Sequence, residues 1–301
     1  IVATAGLLNA LTITGRDIKN FKMVVNGAGA AGIACVELLK AMGMPSKNVI
    51  MCDRKGVISK SRNDLDQWKS AHAVDTPHKT LEDALKGADI AFGLSVKGAF
   101  TNDMMLSMND KPIIFAMANP DPEITPDELR KIRPDAIIAT GRSDYPNQVN
   151  NVLGFPYIFR GALDVRASAI NIDMKIAATK ALADLAKQDV PDEVANAYSG
   201  QHIKFGPEYI IPKPFDARLL TAIPPAVAKA AEESGVARKP IKDELGYRRR
   251  LAARLDKTAT LIQSVADTVK ASPKKIVFAE GEQETVIRAA VQFYKEGYGT
   301  P

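Results

Sequence analysis

Short apolar runs alternate with segments of helical periodicity through the first half of the chain. The runs predict buried strands at residues 21–26, 49–52, 89–95, 112–117 and 135–140, and residues 1–14 predict a helix that ends at Gly15. Strands that alternate with helices form parallel sheets with helices on both faces. The pattern therefore predicts an α/β fold built on a doubly wound parallel sheet.

Local signals place short helices between these strands. A Thr followed three residues later by an acid is typical of a capping box, and this pattern occurs at Thr80–Asp83 and at Thr125–Glu128. Asn102 predicts the N-cap of a brief helix that runs through residue 108. Further helices are predicted at residues 33–42 and 64–70.

The pattern changes after residue 151. Two long helices are predicted, at residues 161–187 and 242–270, and their apolar surface exceeds what one small domain needs, so we expect homo-oligomerisation. The remaining segments are predicted as helices at 192–198, 225–233 and 282–297, an extended stretch at 209–216 and a strand at 274–280.

A glycine-rich loop follows the first strand. Its sequence is Gly27-Ala28-Gly29-Ala30-Ala31-Gly32, and about twenty residues beyond it the second strand ends in Asp53. In the dinucleotide-binding unit the first glycine allows a tight turn, the second lets the pyrophosphate approach the backbone, and the third lets the helix pack on the strand. The order of strand, glycine loop, helix, strand and acid predicts a Rossmann-type sheet that binds NAD or NADP.

The residues that follow Asp53 leave the choice of cofactor open. Asp53 alone suits the ribose hydroxyls of NAD, whereas Arg54 and Lys55 directly after it can pair with the 2′-phosphate of NADP or belong to a solvated turn. Ligands of doubly wound sheets bind outside the carboxyl ends of the strands, so Ser95 and Asn119, in two later loops, are also predicted to contact the cofactor.

Composition narrows the possible functions. The net charge is +5, and much of the positive excess lies between residues 238 and 275. Arg248–Arg250 in this stretch could be a patch that binds phosphate groups or an acidic partner. They could instead be the solvated or interface face of a helix. Aromatic residues do not interleave with the basic ones, which argues against a nucleic-acid surface, and no apolar window is long enough for a membrane span. Two cysteines, Cys35 and Cys52, are typical of a reducing cytoplasm. Three scattered histidines lack zinc-site spacing and are expected either at the surface or behind a site without touching its ligand.

Several loops together resemble one family. Asn119-Pro120-Asp121-Pro122-Glu123, Asn150-Asn151 with Phe155-Pro156, and the glycine loop with Asp53 occur in the order seen in malic enzymes. The run from Lys274 to Glu282 is similar to the opening of a phosphotransacetylase domain, which the large bacterial hybrid malic enzymes carry at the C-terminus. The resemblance implies an NAD(P)-binding domain at 1–236, a helical linker at 237–273 and the start of a phosphotransacetylase-like domain at 274–301. The first residue is not Met and a strand–helix pattern has just begun at Pro301, so we expect a segment of a longer protein, cut at both ends.

The resemblance also implies an activity. Malic enzymes oxidatively decarboxylate (S)-malate to pyruvate and CO₂ with NADP or NAD and a divalent Mg or Mn ion, and similarity to the hybrid form favours NADP. It assigns substrate contacts to Asn119 and Asn151, which could otherwise be loop-forming asparagines. The acid–base Tyr and Lys and the metal ligands of the family are expected upstream of Ile1, so no catalytic or metal-binding residue is expected within the chain, and the isolated chain is expected to be inactive.

Two alternatives remain at this point. A dehydrogenase of another class, such as an amino-acid dehydrogenase, would share the glycine loop but not the two asparagine loops. A regulatory module that senses a dinucleotide or an acyl-CoA would explain the phosphotransacetylase-like segment and Arg248–Arg250, with acetyl-CoA as the effector of the full-length protein.

Overall fold

The computed structural model describes residues 1–191, 194, 203–255, 265–266 and 268–301. These residues form two compact units, Ile1–Ile241 and Lys242–Pro301. Within the described residues, no helix is both long enough and apolar enough to cross a membrane.

A six-stranded sheet lies at the centre of the first unit. The five parallel strands confirm the predicted order of strands along the chain, and a short antiparallel strand, β3, turns back from the end of β2. The spatial order is β3-β2-β1-β4-β5-β6. The strands are β1 Met23–Asn26, β2 Val49–Asp53, β3 Gly56–Val57, β4 Ile90–Gly93, β5 Ile113–Ala116 and β6 Ile137–Thr140.

Helices cover both faces of this sheet, as the continuous apolar runs of the strands require. Met23 and Val25 on β1 belong to an apolar cluster that includes α1 and α2, whereas Val24 between them belongs to a second cluster with α4, α5 and α6. The helices of this half are α1 Val2–Thr14, α2 Ala30–Ala41, α3 Gln67–Ser70, α4 Leu81–Leu85, α5 Asn102–Leu106 and α6 Pro126–Ile132.

The caps confirm two predictions and correct two others. Both capping boxes form, at Thr80–Asp83 and Thr125–Glu128. Asn102 is not an N-cap: Thr101 has the extended backbone of a cap and accepts from the amide of Met104. The helix predicted at 64–70 is shorter, because the Asp66 carboxylate caps α3 by accepting from the amide of Lys69.

The prediction of one long helix at 161–187 is wrong. Two helices, α7 Phe155–Asp164 and α8 Ile172–Ala186, occupy this region and part of the preceding loop. Arg166 takes a left-handed φ of 51°, which ends α7, and Asn171 starts α8 by accepting from the amide of Met174.

A third long helix of this half, α9, spans Arg218–Glu233 and so begins well before the predicted start at residue 225. Pro224 and Pro225 lie inside it, where the sequence suggested a boundary. Gly161 on α7 meets the backbone of Pro224 so closely that a Cβ there would collide with it, which lets the two helices pack together. The short helix predicted at 192–198 falls largely outside the described residues.

The side chain of Asn9 joins α1 to distant segments. Asn9 is fully buried, and its amide group donates to the carbonyls of Ala183 on α8 and Ile210, at 2.8 and 2.9 Å. The stretch predicted as extended at 209–216 is irregular instead: it has one isolated bridge residue, Tyr209, followed by bends at 210–211 and a turn at 214–215.

The second unit contains α10 Glu244–Ala252, β7 Lys274–Lys275, α11 Glu284–Lys295 and β8 Gly299–Thr300. The predicted helix at 242–270 is not continuous, since α10 ends at Ala252 and a turn follows. β7 is shorter than the predicted strand at 274–280 and pairs in parallel with β8. A strand, a helix and a parallel strand thus follow one another, which is the βαβ arrangement of an α/β domain.

Candidate functional site

The candidate site lies where the winding of the sheet reverses. The chain leaves β1 toward β2 on one side, and later returns to place β4 on the other side of β1. The loops after β1 and β4 therefore diverge and leave a crevice, the usual ligand position in such sheets. A cleft of about 700 Å³ occupies this position, lined by Asn26, Gly27, Ala28, Gly29, Asp53, Arg54, Lys55, Lys69, Leu94, Ser95, Val96 and Ala99.

The glycines of the loop have the roles that their spacing indicates. Gly27 has a φ of 127°, and a Cβ there would collide with the carbonyl of Leu94. A Cβ on Gly32 would collide with the carbonyl of Gly27, whereas a Cβ on Gly29 would meet no protein atom within 4 Å. Two glycines are thus required by the protein itself, and the third leaves open space in the cleft.

The N-terminus of α2 faces this space. Gly29 is its N-cap, and Ala30, Ala31 and Gly32 form its first turn, whose amides have no acceptor within the helix. The helix is twelve residues long, so its amides and its dipole favour an anion at this end. The loop and the first turn therefore fit the pyrophosphate of a dinucleotide.

Asp53, at the end of β2, is fully occupied by donors from the protein. Arg62 Nη1 and Nη2 bind its two oxygens at 2.8 and 3.2 Å, Lys69 Nζ binds Oδ2 at 3.0 Å, and the amide of Lys55 binds Oδ1 at 2.9 Å. A carboxylate has about four lone-pair sites, and these four bonds use them. Desolvation raises the pKa of Asp53, but the hydrogen bonds of Arg62, Lys55 and Lys69 outweigh it and lower the pKa to about 2.

Cations outnumber carboxylates around Asp53. Arg62 also binds Asp64 through Nε and Nη2 at 2.9 and 3.0 Å, and Lys55 Nζ binds Asp64 at 2.7 Å. Arg54 is exposed on the cleft wall and makes no ion pair with any residue that the structure describes. Lys55, Arg62 and Lys69 pair with the two carboxylates of Asp53 and Asp64, and Arg54 adds a fourth cation. The positive charges therefore exceed the negative ones at this end of the cleft.

The sequence did not indicate Arg62 and Lys69. They lie 9 and 16 residues after Asp53 and reach it because β3 turns the chain back beside β2. Arg54-Lys55 at the turn of this hairpin is the only local signal, since a two-residue connection between apolar runs is typical of a hairpin.

A buried glutamate supports the opposite wall. Glu123 is fully buried, and its carboxylate accepts from the amides of Ser95 and Ala118 at 2.8 and 3.0 Å and from the Ser95 hydroxyl at 3.3 Å. Asn26 donates to the same hydroxyl at 2.8 Å. Glu123 thereby joins the loops that follow β4 and β5, and β4 ends in Gly93 because a Cβ there would collide with the Glu123 carboxylate.

The two asparagines predicted to contact substrate lie outside the cofactor cleft. Asn119 is exposed and precedes a cis bond to Pro120 at the end of the β5 loop. Asn151 lies on a second cleft of about 640 Å³, which α1, α2, α7 and α8 line with mainly apolar residues. The structure thus brings the glycine loop together with Asp53, Arg54, Lys55 and Ser95, and places Asn119 and Asn151 elsewhere.

The remaining candidate groups have structural environments. Burial raises the pKa of the Cys52 thiol to about 12, and burial also raises the pKa of Cys35. His72 is buried at 6% exposure, which excludes a surface position and leaves the alternative of a residue behind the site. Over the described part of the chain, no group of three or more His, Cys, Asp or Glu side chains is placed to hold a metal ion.

Comparison with known proteins agrees with this geometry. Over all of this chain, the sequence is 64% identical to an NADP-dependent malic enzyme of Rhizobium meliloti and 46% identical to an NAD-dependent malic enzyme of the same organism. The chain spans 40% and 39% of the lengths of these relatives. A crystal structure of Entamoeba histolytica malic enzyme matches with a TM-score of 0.73 and 32% identity, over 98% of this chain and 58% of that one.

These relatives bear out the α/β sheet and its resemblance to malic enzymes. Residues 1–198 match the family described as "Malic enzyme, NAD binding domain", which is more than half of the chain. The cleft at the switch point, with its glycine loop and helix N-terminus, is the part of the structure that such a domain needs. The chain belongs to the malic enzyme family and contains its NAD-binding domain.

Proposed function

We propose that the protein containing this chain oxidatively decarboxylates (S)-malate to pyruvate and CO₂, with NADP as its cofactor. The chain supplies the cofactor cleft. The observation that carries the choice of NADP is the saturation of Asp53: its lone pairs are used by Arg62, Lys69 and the Lys55 amide.

A free Asp at this position selects NAD in two ways, since it accepts from the ribose hydroxyls and repels a 2′-phosphate. Asp53 does neither, because it has no lone pair left and its charge is paired. Lys69, Arg54 and Lys55 line the same cleft and present cationic N–H groups at the site of the ribose, whereas Arg62 neutralises Asp53 from behind. Charge-assisted hydrogen bonds from these groups stabilise a phosphate and have no counterpart in NAD.

Each part of the cleft has a task when the cofactor binds. The first turn of α2 would hold the pyrophosphate. Ser95, which Glu123 and Asn26 hold in place, lines the cleft just after the end of β4. When bound, the cofactor would supply a nicotinamide as the hydride acceptor for the substrate carbon. Asn119 and Asn151 hydrogen-bond malate, for which uncharged amides are suited because they do not titrate.

The rest of the activity depends on residues beyond this chain. The chain spans 40% of the length of its NADP-dependent relative from Rhizobium meliloti, and we assign the metal and the acid–base pair to parts of the protein outside this chain. The isolated chain then binds cofactor without turning over malate. Malate-dependent reduction of NADP by this chain alone would overturn that assignment.

The second unit supports the hybrid architecture. Its β7–α11–β8 arrangement is a single βαβ unit, and α11 exposes Ile287, Val291 and Tyr294. We assign residues 1–236 to the cofactor domain, 237–273 to a linker and 274–301 to the start of a phosphotransacetylase-like domain. Acetyl-CoA as effector, a homo-oligomer and a cytoplasmic location belong to the same proposal.

A titration with NADP and with NAD tests the cofactor assignment. Trp68, the single tryptophan, lies in α3 beside Lys69, so its fluorescence reports on this end of the cleft. We expect Arg54→Gln to weaken NADP binding about tenfold or more, since Arg54 is exposed on the cleft wall and a hydrogen bond to a charged group is worth roughly 1.5–3 kcal/mol. NAD binding should change less than about twofold, a few tenths of a kcal/mol.

Lys60→Gln is the matched control. Lys60 is an exposed cation that follows β3, does not line the cleft and forms no ion pair with a described residue, so NADP binding should stay as in the wild type. Equal affinity of the wild type for NAD and NADP would contradict the choice of NADP, and no binding of either would contradict the cofactor site.

A further inference from the structure

His72 lies beneath the segment that carries the two cations of the ribose end. Its side chain is 3% exposed and packs against α2. His72 Nδ1 is 3.0 Å from Lys40 Nζ, and His72 Nε2 is 3.4 Å from Glu37 Oε1. Lys40 and Glu37 are the charged groups that face the ring, and both belong to α2, the helix whose N-terminus holds the pyrophosphate.

The contacts assign the tautomer. A lysine ammonium has three N–H donors and no acceptor, so His72 Nδ1 must accept from Lys40. The ring proton of neutral His72 is then on Nε2, where it faces the Glu37 carboxylate. Protonation of His72 would place an N–H on Nδ1 directly against the Lys40 ammonium, with no acceptor between them. The contact with Lys40 therefore exists only with neutral His72.

The backbone around His72 connects this contact to the cofactor cleft. The amide of His72 donates to the carbonyl of Lys69, whose side chain binds Asp53. Two residues later, Val74 donates to Ile58 and accepts from Lys60, at the start of the loop that leads to Arg62. His72 thus anchors to α2 a segment that carries Lys69 and borders the Arg62 loop.

We propose that His72 is a positioning residue for the 2′-phosphate end of the cleft: neutral His72 holds Lys69 and the Arg62 loop in place, and its protonation weakens the binding of NADP but not of NAD. The inference rests on the proposed function, since it names a control of the same site. It gives the affinity for the phosphorylated cofactor a dependence on pH that comes from the protein.

The groups around His72 decide the direction in which its pKa shifts, and therefore the direction of the pH dependence. Desolvation and then the Lys40 charge lower the pKa of His72, while Glu37 raises it, and the net pKa is below the ordinary value of about 6.5. The anchor is complete at neutral pH and is lost as the pH falls through this lowered pKa. The ligand has its own pH dependence, because a phosphate group titrates near pH 6. The experiment must therefore compare variants at each pH.

The test measures the dissociation constants of NADP and NAD by calorimetry between pH 5 and 8, with the full chain. His72→Asn keeps an acceptor near Lys40 but does not titrate, so it removes the contribution of the histidine and leaves that of the phosphate. We expect the loss of NADP affinity on acidification to be about three- to tenfold greater in the wild type than in His72→Asn, equivalent to about half to one pKa unit of coupling. His78→Asn, at a partly exposed histidine whose ring makes no hydrogen bond to Lys40 or Glu37 among the described residues, should match the wild type.

Other outcomes separate the two proposals. Parallel pH profiles of the wild type and His72→Asn would overturn the role of His72 while leaving the NADP site intact. An equal acid effect on NAD would overturn it as well, and absence of NADP binding at any pH would overturn both. Nitrogen-15 NMR gives an independent readout that needs no variant: we expect the Nε2–H tautomer, and a ring protonated on Nδ1 at neutral pH would contradict the inference.

Discussion

At the scale of single residues, the neighbours of a side chain decide its role. Asp53 has the sequence position of a ribose-binding acid, yet Arg62 and Lys69 turn it into an anchor for two cations. Glu123 is buried without a cationic partner among the described residues and is stabilised by two backbone amides and a hydroxyl. Asp53 shapes the cleft from its lining, and Glu123 does so from behind its surface.

The glycines of the loop allow a paired prediction. Gly29→Ala should leave the free energy of unfolding within about 0.5 kcal/mol of the wild type, because its Cβ meets no protein atom. It should nevertheless weaken dinucleotide binding at least about tenfold, since the methyl group takes the space of the pyrophosphate. Gly27→Ala should lower stability itself, because of its φ of 127° and the Leu94 carbonyl. Urea unfolding and NADP titration of both variants separate the two effects.

Glu123→Gln tests the buried carboxylate. Glutamine has one oxygen and one NH₂ group where glutamate has two oxygens. The NH₂ group cannot accept a hydrogen bond, so one of the amides of Ser95 and Ala118 loses its partner. We expect a loss of about 1–3 kcal/mol in the free energy of unfolding, the cost of an unsatisfied buried group. Glu82→Gln, at an exposed position of α4, should cost almost nothing. Equal urea midpoints for the two variants would contradict this role.

At the scale of elements, helix ends depend on individual side chains more than on composition. Thr101 and Asn102 are both good capping residues, and the backbone decides between them, since Thr101 is extended and Asn102 already helical. The same principle divides the predicted helix at 161–187. Its Ala-rich composition favours a continuous helix, but Arg166 and Asn171 end one helix and start the next.

Substitution at the two candidate caps checks this assignment. Thr101→Ala should lower the free energy of unfolding by about 0.5–2 kcal/mol, because the Met104 amide loses its acceptor. Asn102→Ala should be neutral or slightly stabilising, since alanine has the higher helix propensity. A larger loss in Asn102→Ala than in Thr101→Ala, measured by urea unfolding, would reverse the assignment.

At the scale of the whole molecule, paired carboxylates set the response to acid. Hydrogen bonds lower the pKa of Asp53 to about 2, and the pKa of Asp64 beside Arg62 and of Asp135 beside Arg133 is also lowered. Unfolded aspartate titrates near pH 3.9, so the stability from these groups is present above about pH 4 and is lost as the pH falls toward 2. Thermal unfolding followed by Trp68 fluorescence should show this loss, with a smaller fall in Arg62→Gln than in Lys60→Gln. A thermal midpoint that is constant from pH 5 to 2.5 would contradict it.

The sequence predicted the sheet well because its signals are local. Each parallel strand is a continuous apolar run, and Gly27, Gly29 and Gly32 have a fixed spacing that one motif requires. Arg62, Lys69 and Glu123 could not be found in this way, since each acts across a turn of the chain and lies in a segment without periodicity. The sequence located the candidate cleft and named Arg54 and Lys55, whereas the contacts of Arg62 and Lys69 with Asp53 became visible only in three dimensions.

The two hydrogen bonds of Asn9 bear on how the chain folds during synthesis. They join α1 to carbonyls 174 and 201 positions further along, so α1 lacks these partners until most of the first unit has emerged from the ribosome. Contacts of such long sequence separation are slow to form because closing the intervening loop costs entropy. The glycine loop and strands β1 to β6 precede those partners in the chain. The sheet can therefore assemble before α1 forms its hydrogen bonds with Ala183 and Ile210.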